Sequence, residues 1–432
     1  MLCVFALAGC QEKDPLPELT VGQTEYTLGA IEGRTANVSF KTNAEWALSI
    51  TYENTDTEWL TVTPARGTAG EQTIEVTADE NYREELRIAH IDIQYGDKIQ
   101  TLKVTQEKTP NLAPLFDPEF VRILKERGYI SDEEKILPKD ITGITKLDIS
   151  ETLDNCGPLT SLRGIEYFAS LDTLNCANNR LTELDISKNT HLKFLSCSNN
   201  QLTTLDATNN TELTDLYCQH NQITELDINN NTELRHLFCY NNQLPVLDLS
   251  SNTLLAALHC QSNQLSTLEV GKNNALVDLH CSSNLLTALE VSKNTALKKL
   301  SCQNNQLTAL DVTNNNELVD LSCYNNQLTT LDVSKNTALI LLSCSNNQLT
   351  ALDVTNNTDM TYLNCHNNQL TKLDISRNTE LNYLLCNGNP GDGISVFPVT
   401  AWFGNDTIPS GFTKGEWIYG DKTIRIDYLK AE

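Results

Sequence analysis

The fold is decided by a repeat in the second half of the chain. Residues Leu318–Ala338 read LVDLSCYNNQLTTLDVSKNTA, and the next stretch, Leu339–Asp359, reads LILLSCSNNQLTALDVTNNTD. The same 21-residue pattern runs from Leu171 to Pro390. A short fixed period of this kind predicts a solenoid, in which each repeat forms one coil and buries its apolar residues against its neighbours.

One cysteine per repeat marks the period, at Cys176, Cys197, Cys218, Cys239, Cys260, Cys281, Cys302, Cys323, Cys344, Cys365 and Cys386. Asparagine recurs three positions after each cysteine, and a second asparagine recurs thirteen positions after, from Asn189 to Asn378. We expect short strands with inward leucine and cysteine, and asparagines that bond backbone groups in the turns. Neighbouring thiols would lie side by side on parallel strands about 4.8 Å apart, which favours free thiols over disulfides.

These repeats resemble the leucine-rich-repeat family, in the short bacterial form whose second half reads L-x-x-L-D-L-x-x-N. The resemblance covers residues 144–390, with cysteine at the position usually held by a third leucine. It implies a curved solenoid with one strand per repeat. It also implies that the residues flanking the strand leucine and the cysteine form the concave surface.

A different pattern precedes the repeats, because residues 18–107 alternate apolar and polar positions, as in Gln72–Val76 and Ile88–Ile93. This alternation predicts a small antiparallel β-sandwich. Residues that include Trp46, Trp59 and Arg87 resemble the BACON domain of gut-bacterial surface proteins, which implies an immunoglobulin-like module that contacts glycan or mucin or acts as a spacer. We expect both tryptophans in the core. The predicted fold class is therefore mainly β, a curved leucine-rich-repeat solenoid preceded by a small immunoglobulin-like β-sandwich.

The remaining segments are predicted as a leader, a tether and two caps. Residues 1–9 and Cys10 resemble a shortened lipoprotein signal peptide, which implies lipidation of Cys10 and a tether over residues 10–17. Residues 108–143 are predicted to form a linker and a helical N-terminal cap, with Asp117 as the helix cap and Gly128 near its end. Residues 391–432 are predicted to form a β-rich C-terminal cap that places Trp402 and Trp417 over the last coil.

Composition excludes several functions. The formal charge of -25 and the pI near 4.6 disfavour nucleic acid as a partner. No apolar run of membrane-spanning length follows the start, so membrane contact is expected only through the lipid anchor. The sequence contains none of the common catalytic motifs, which predicts a protein that is not an enzyme and needs no cofactor. The column of acidic residues from Asp185 to Asp374 is expected to consist of solvated or turn-bonding acids rather than a calcium site.

Aromatic and histidine residues concentrate on the early coils of the predicted concave face. We call this set the concave patch: Phe194, Tyr217, His236, Phe238, Tyr240, His259 and His280. Aromatic residues on a strand surface indicate contact with protein or with sugar rings, although they can also stabilise the sheet by cross-strand stacking. His259 and His280 could share a zinc ion beside Asp278, but the sequence fixes no third ligand, so no metal site is predicted.

Together these features predict a lipid-anchored protein at the cell surface or outer membrane of a Gram-negative gut anaerobe. Its concave face is expected to bind a protein or peptide ligand, with host proteins among the candidates. The alternative is a glycan-binding lipoprotein of a polysaccharide-capture system. A rigid spacer without a specific ligand is a third possibility.

Overall fold

The computed structural model describes residues 15–431 except 32, 54–57, 82, 84 and 153–156. The predicted signal peptide and the predicted lipidation site at Cys10 lie outside the described residues. The chain divides into two compact units. The first unit ends at Ala113 and also includes Glu134–Pro138, and the second comprises Pro114–Glu133 and everything from Lys139 onward.

The first unit is a two-sheet β-sandwich, as the alternating sequence predicts. One sheet has the strand order β1-β3-β7-β5 and the other has the order β2-β9-β8-β4-β6. The strands are β1 (Leu19–Val21), β2 (Glu25–Leu28), β3 (Thr35–Thr42), β4 (Trp46–Glu53), β5 (Leu60–Thr63), β6 (Arg66–Gly67), β7 (Gly70–Ala78), β8 (Arg87–Tyr95) and β9 (Lys98–Gln106).

Both tryptophans of the sandwich belong to its core, which confirms the prediction. Trp46 and Trp59 are each only 3% exposed. Trp46 packs edge-on against Phe40 with 5.0 Å between ring centroids, and a Cβ atom at Gly67 would lie 2.7 Å from Trp46 Nε1. Glycine is therefore required beside this indole.

The second unit contains a parallel sheet with one strand per repeat, which confirms the predicted solenoid. Its twelve strands are β10 (Lys146–Asp148), β11 (Thr173–Asn175), β12 (Phe194–Ser196), β13 (Asp215–Tyr217), β14 (His236–Phe238), β15 (Ala257–His259), β16 (Asp278–His280), β17 (Lys299–Ser301), β18 (Asp320–Ser322), β19 (Leu341–Ser343), β20 (Tyr362–Asn364) and β22 (Tyr383–Leu385). Between β20 and β22 in the chain lies β21 (Leu373–Asp374), which belongs to another sheet.

The cysteines form a buried column behind this sheet, as predicted from their spacing. All eleven are free thiols and fully buried. Burial raises the pKa of Cys197 and of Cys239 to about 12, because a thiolate would lose its hydration there. These thiols therefore act as small apolar side chains of the core.

Two asparagine ladders connect successive coils. In the first, Asn305 Nδ2 donates to the carbonyl oxygens of Cys281 and Cys302 at 3.1 and 3.0 Å, while its Oδ1 accepts from the Leu286 N–H at 3.0 Å. In the second, Asn294 Nδ2 donates to the carbonyls of Val270 and Asn273. The side chains thus satisfy buried backbone groups in turns where strands cannot.

A helix lies at the start of the second unit, where the sequence predicts one. Helix α1 spans Pro118–Glu126, and the Asp117 side chain accepts from the backbone N–H groups of Glu119 and Phe120. Phe116 stacks on Phe120 at 5.9 Å, and both rings contact Phe168 near the first coils. The remaining helical segments are α2 (Pro138–Ile141) and three short 3₁₀ turns at Ala113–Leu115, Ile165–Tyr167 and Asn405–Thr407.

The last coil is covered by a small sheet and by a returning loop. The sheet has the order β21-β23-β25-β24, where β23 is Val396–Ala401, β24 is Glu416–Tyr419 and β25 is Lys422–Lys430. At the edge strand β22, Leu384 N–H donates to the Gly411 carbonyl at 3.1 Å and Cys386 N–H donates to Thr413 Oγ1 at 3.0 Å. This pairing closes an edge that could otherwise recruit another chain.

Trp417 contributes to the same cover, because its Nε1–H donates to the Asn389 carbonyl at 2.9 Å and its ring packs on Phe397.

None of the helices in the described residues has the length and apolar character that a membrane span requires.

Candidate functional site

The candidate site lies on the outer face of the solenoid sheet. The central leucine of each strand is buried, whereas the first and third residues of most strands remain partly exposed. We call the surface formed by these first and third residues the concave face. Because neighbouring strands pair in register, equivalent residues stand beside one another from coil to coil.

Five members of the concave patch form a continuous file of rings across β12 to β16. The centroid distances between successive rings are 5.3 Å, 4.9 Å, 4.1 Å and 4.3 Å, and the rings belong to Phe194, Tyr217, Phe238, His259 and His280. The rings of Phe238 and His259 are stacked and nearly parallel, with 8° between their planes. All five side chains are half-buried, so the file is both packed and accessible.

The other two members of the patch lie outside this file. His236 Nδ1 contacts Asp215 Oδ1 at 2.6 Å. Tyr240 instead packs edge-on against His220, with 5.1 Å between ring centroids. His220 was not predicted as a site residue. It occupies a turn with φ of 56°. The sequence signal was present, since the equivalent position in other repeats holds asparagine, serine or glycine.

One carboxylate lies between the two histidines at the end of the ring file. Asp278 Oδ2 is 3.4 Å from His259 Nε2, and Asp278 Oδ1 is 3.0 Å from His280 Nε2. Partial burial alone would raise the pKa of Asp278, but the contacts with both histidines outweigh it and lower this pKa well below its usual value. The structure thus places the Asp278 carboxylate in contact with both histidines.

A second aromatic contact lies on the later coils, beyond the predicted patch. Tyr362 and Tyr383 stack with 4.7 Å between centroids and 6° between ring planes. Both belong to the same face as the ring file. Sequence reasoning gave them no role because the repeats between them and His280 carry mostly serine in the neighbouring column.

The acidic column behaves as turn structure. In each case below, the carboxylate accepts a hydrogen bond from the backbone N–H two residues later: Asp185, Asp206, Asp227, Asp248, Glu290, Asp311, Asp332, Asp353 and Asp374. Hydrogen bonds from the side chain and backbone of Thr208 lower the pKa of Asp206. These acids are thus engaged in local turns, as predicted.

The two units correspond to two known kinds of domain. Residues 18–109 match the family model described as the Viral BACON domain, so the first unit contains a BACON domain. The register, the asparagine ladders and the buried cysteines define the second unit as a leucine-rich-repeat solenoid.

One solved structure supports the second assignment. The functional domain of InlJ from Listeria monocytogenes, which includes a cysteine ladder, is 36% identical with a TM-score of 0.61, over 65% of this chain and 62% of that chain. The leucine-rich-repeat protein LIC12759 from Leptospira interrogans is 27% identical with a TM-score of 0.46, over 52% of this chain and 69% of that chain. This chain therefore spans somewhat less than two thirds of the InlJ structure. No curated protein matches its sequence.

Proposed function

We propose that this chain is a non-enzymatic surface protein that binds a protein or peptide on its concave face. The observation that carries the proposal is the file of five stacked rings across five neighbouring strands. Rings held by their neighbours lose little conformational freedom on binding, which makes them effective anchors. The surface location is proposed only because residues 1–9 and Cys10 resemble a lipoprotein signal peptide.

The dimensions and charge of the file favour an extended polypeptide. Five parallel strands span about 19 Å at the usual strand spacing, which matches several residues of extended chain. Asp215, Asp278 and Asp320 are half-buried on the same face, and the whole chain carries a formal charge of -25. We therefore expect a ligand segment that combines apolar or aromatic side chains with basic ones, because opposite potentials promote encounter.

The glycan alternative has less support. Sugars bind aromatic residues through an open ring face, but the faces of Phe238 and His259 are stacked on each other. The four tryptophans do not offer open platforms either. Trp46 and Trp59 are buried, while Trp402 and Trp417 are half-buried against other aromatic rings.

Replacing the centre of the ring file should abolish ligand binding. We expect Tyr217→Ala combined with Phe238→Ala to weaken binding by at least about 100-fold, since each buried aromatic anchor contributes about 2 kcal/mol or more. The solenoid should stay folded, because both rings lie outside the leucine and cysteine core. Ligands would be selected from a displayed peptide library and in parallel from a glycan array, and affinities measured by calorimetry.

The matched control is Ser301→Ala combined with Ser322→Ala, which alters the later coils of the same face. This pair should leave the affinity within about twofold, as expected for contacts outside the anchor cluster. The proposal fails if the serine pair weakens binding as much as the aromatic pair. It also fails if only glycans bind the parent chain.

A further inference from the structure

Two histidines and one aspartate converge on the concave face in the middle of the solenoid. We propose that His259, Asp278 and His280 form a binding site for a divalent transition-metal ion of the zinc class. This inference does not depend on the proposed partner, because the site is built entirely from residues of this chain. Within the described residues, this is the one group of three such side chains whose ligand atoms all lie within 4.8 Å of one another.

Strand register creates the convergence. His259 pairs with His280 across β15 and β16, and Asp278 precedes His280 by two residues on the same strand. Side chains two residues apart on a strand point to the same face. All three side chains therefore project from one sheet surface, where they are 18%, 27% and 31% exposed for His259, Asp278 and His280.

The spacing fits a tetrahedral ion. Zinc binds imidazole nitrogen and carboxylate oxygen at about 2.0–2.2 Å, so ligand atoms in a tetrahedral shell lie about 3.3 Å apart. The two histidine-to-aspartate distances, which run to different oxygens of the one carboxylate, are 3.4 Å and 3.0 Å. Partial exposure of the three side chains leaves room for a fourth ligand, either water or a group from a bound partner.

The poor alignment of these contacts provides a second reason for an ion. His259 Nε2 and Asp278 Oδ1 are shielded from solvent, and their close contacts with Asp278 Oδ2 and His280 Nε2 do not have hydrogen-bond geometry. Buried polar atoms without partners are rare in native proteins and call for an explanation. A metal ion would satisfy the imidazole nitrogen and the carboxylate oxygen together.

The donor set selects the kind of ion. Imidazole nitrogen suits zinc, copper, nickel and iron, whereas calcium and magnesium prefer shells made of oxygen. The His259 ring is held between Phe238 at 4.1 Å and His280 at 4.3 Å, so its orientation is already restricted. The eleven cysteines of the solenoid cannot compete in the native chain, because they are fully buried and burial keeps them protonated.

The test uses the full chain with zinc chloride in calorimetry and cobalt chloride in absorption spectroscopy. We expect one ion per chain, with visible cobalt bands of tetrahedral coordination and without a thiolate charge-transfer band. His280→Ala and Asp278→Asn should each weaken binding by at least about 100-fold, since loss of an outer-shell partner alone costs about 10- to 100-fold. Zinc should also raise the melting temperature of the parent chain but not that of these variants.

The control is His236→Ala, which removes a histidine paired with Asp215 on the same face. It should bind zinc as tightly as the parent. Melting curves in the presence of a chelator establish that each variant is folded, and His280→Gln replaces any variant that is not. The proposal is overturned if the parent takes up no ion, if the control loses affinity as much as the ligand variants, or if bound cobalt carries a thiolate band.

Discussion

The solenoid should unfold steeply as pH rises from about 8.5 to 10, because unfolding exposes eleven thiols that can then ionise. In the native state, burial raises the pKa of all eleven cysteines of the buried column well above the ordinary thiol value. The pKa reaches about 12 for Cys197, Cys239, Cys302, Cys344 and Cys386. Above pH about 8.5 the unfolded chain therefore binds fewer protons than the native one, and stability falls as pH rises. Below that pH the stabilising contribution is fully present.

The size of the effect follows from the number of thiols. One pH unit above the unfolded-state pKa, each buried thiol has lost about 1.4 kcal/mol of its contribution, so the eleven together lose about 15 kcal/mol. That loss is comparable with the whole stability of a typical domain, about 5–15 kcal/mol. A single buried thiol would have no such consequence. The ladder makes alkaline sensitivity a collective property.

The measurement is chemical unfolding followed by circular dichroism at a series of pH values, with a reductant present. The control is the variant Cys239→Ala, Cys260→Ala and Cys281→Ala, which removes three thiols from the middle of the column. Its stability should depend less steeply on pH, in proportion to the thiols removed. An unchanged slope in this variant, or a parent chain whose stability is flat up to pH 10, would contradict the explanation.

The fold could be predicted because the repeat specifies it many times over. Each repeat independently predicts leucine and cysteine inside and asparagine in the turns. One atypical repeat therefore does not change the predicted fold, because the neighbouring repeats specify the same coil. The helix at Pro118–Glu126 was also predictable, since Asp117, Pro118 and Gly128 mark its ends locally. The contact between Thr413 and the last strand was not, because it joins residues 27 positions apart without any periodic signal.

The candidate site could be predicted only in part. Strand position identified the seven residues of the concave patch, but rotamers decide which of them touch, and these depend on neighbours across the sheet. Thus Tyr240 turns to His220, His236 turns to Asp215, and only five rings remain in the file. Asp278 was noted beside the two histidines in the sequence, but only the side-chain directions show that its carboxylate contacts both of them.

The second large effect is expected at the asparagine ladder. We predict that Asn305→Leu destabilises the solenoid by at least about 2 kcal/mol, because a buried polar group left without a partner costs about 1–3 kcal/mol and each further lost hydrogen bond about 0.5–1.5 kcal/mol. The N–H of Leu286 would lose its acceptor. The carbonyls of Cys281 and Cys302 would each lose one of two asparagine donors and keep the other, from Asn284 and Asn326 respectively. Leucine keeps the branched outline of asparagine, with two methyl groups in place of the amide oxygen and nitrogen, so the substitution removes the hydrogen bonds without leaving a cavity.

The matched control is Gln306→Leu, which makes a similar exchange one residue later at an exposed position. Its stability should stay within about 0.5 kcal/mol of the parent, as is usual for surface substitutions. Urea unfolding would compare the two variants, and limited proteolysis would locate the weakened coil. Because each coil contacts only its neighbours, cleavage in Asn305→Leu should concentrate around Cys281 to Cys323 rather than across the whole array. Equal stability of the two variants would show that the ladder amide does not hold adjacent coils together.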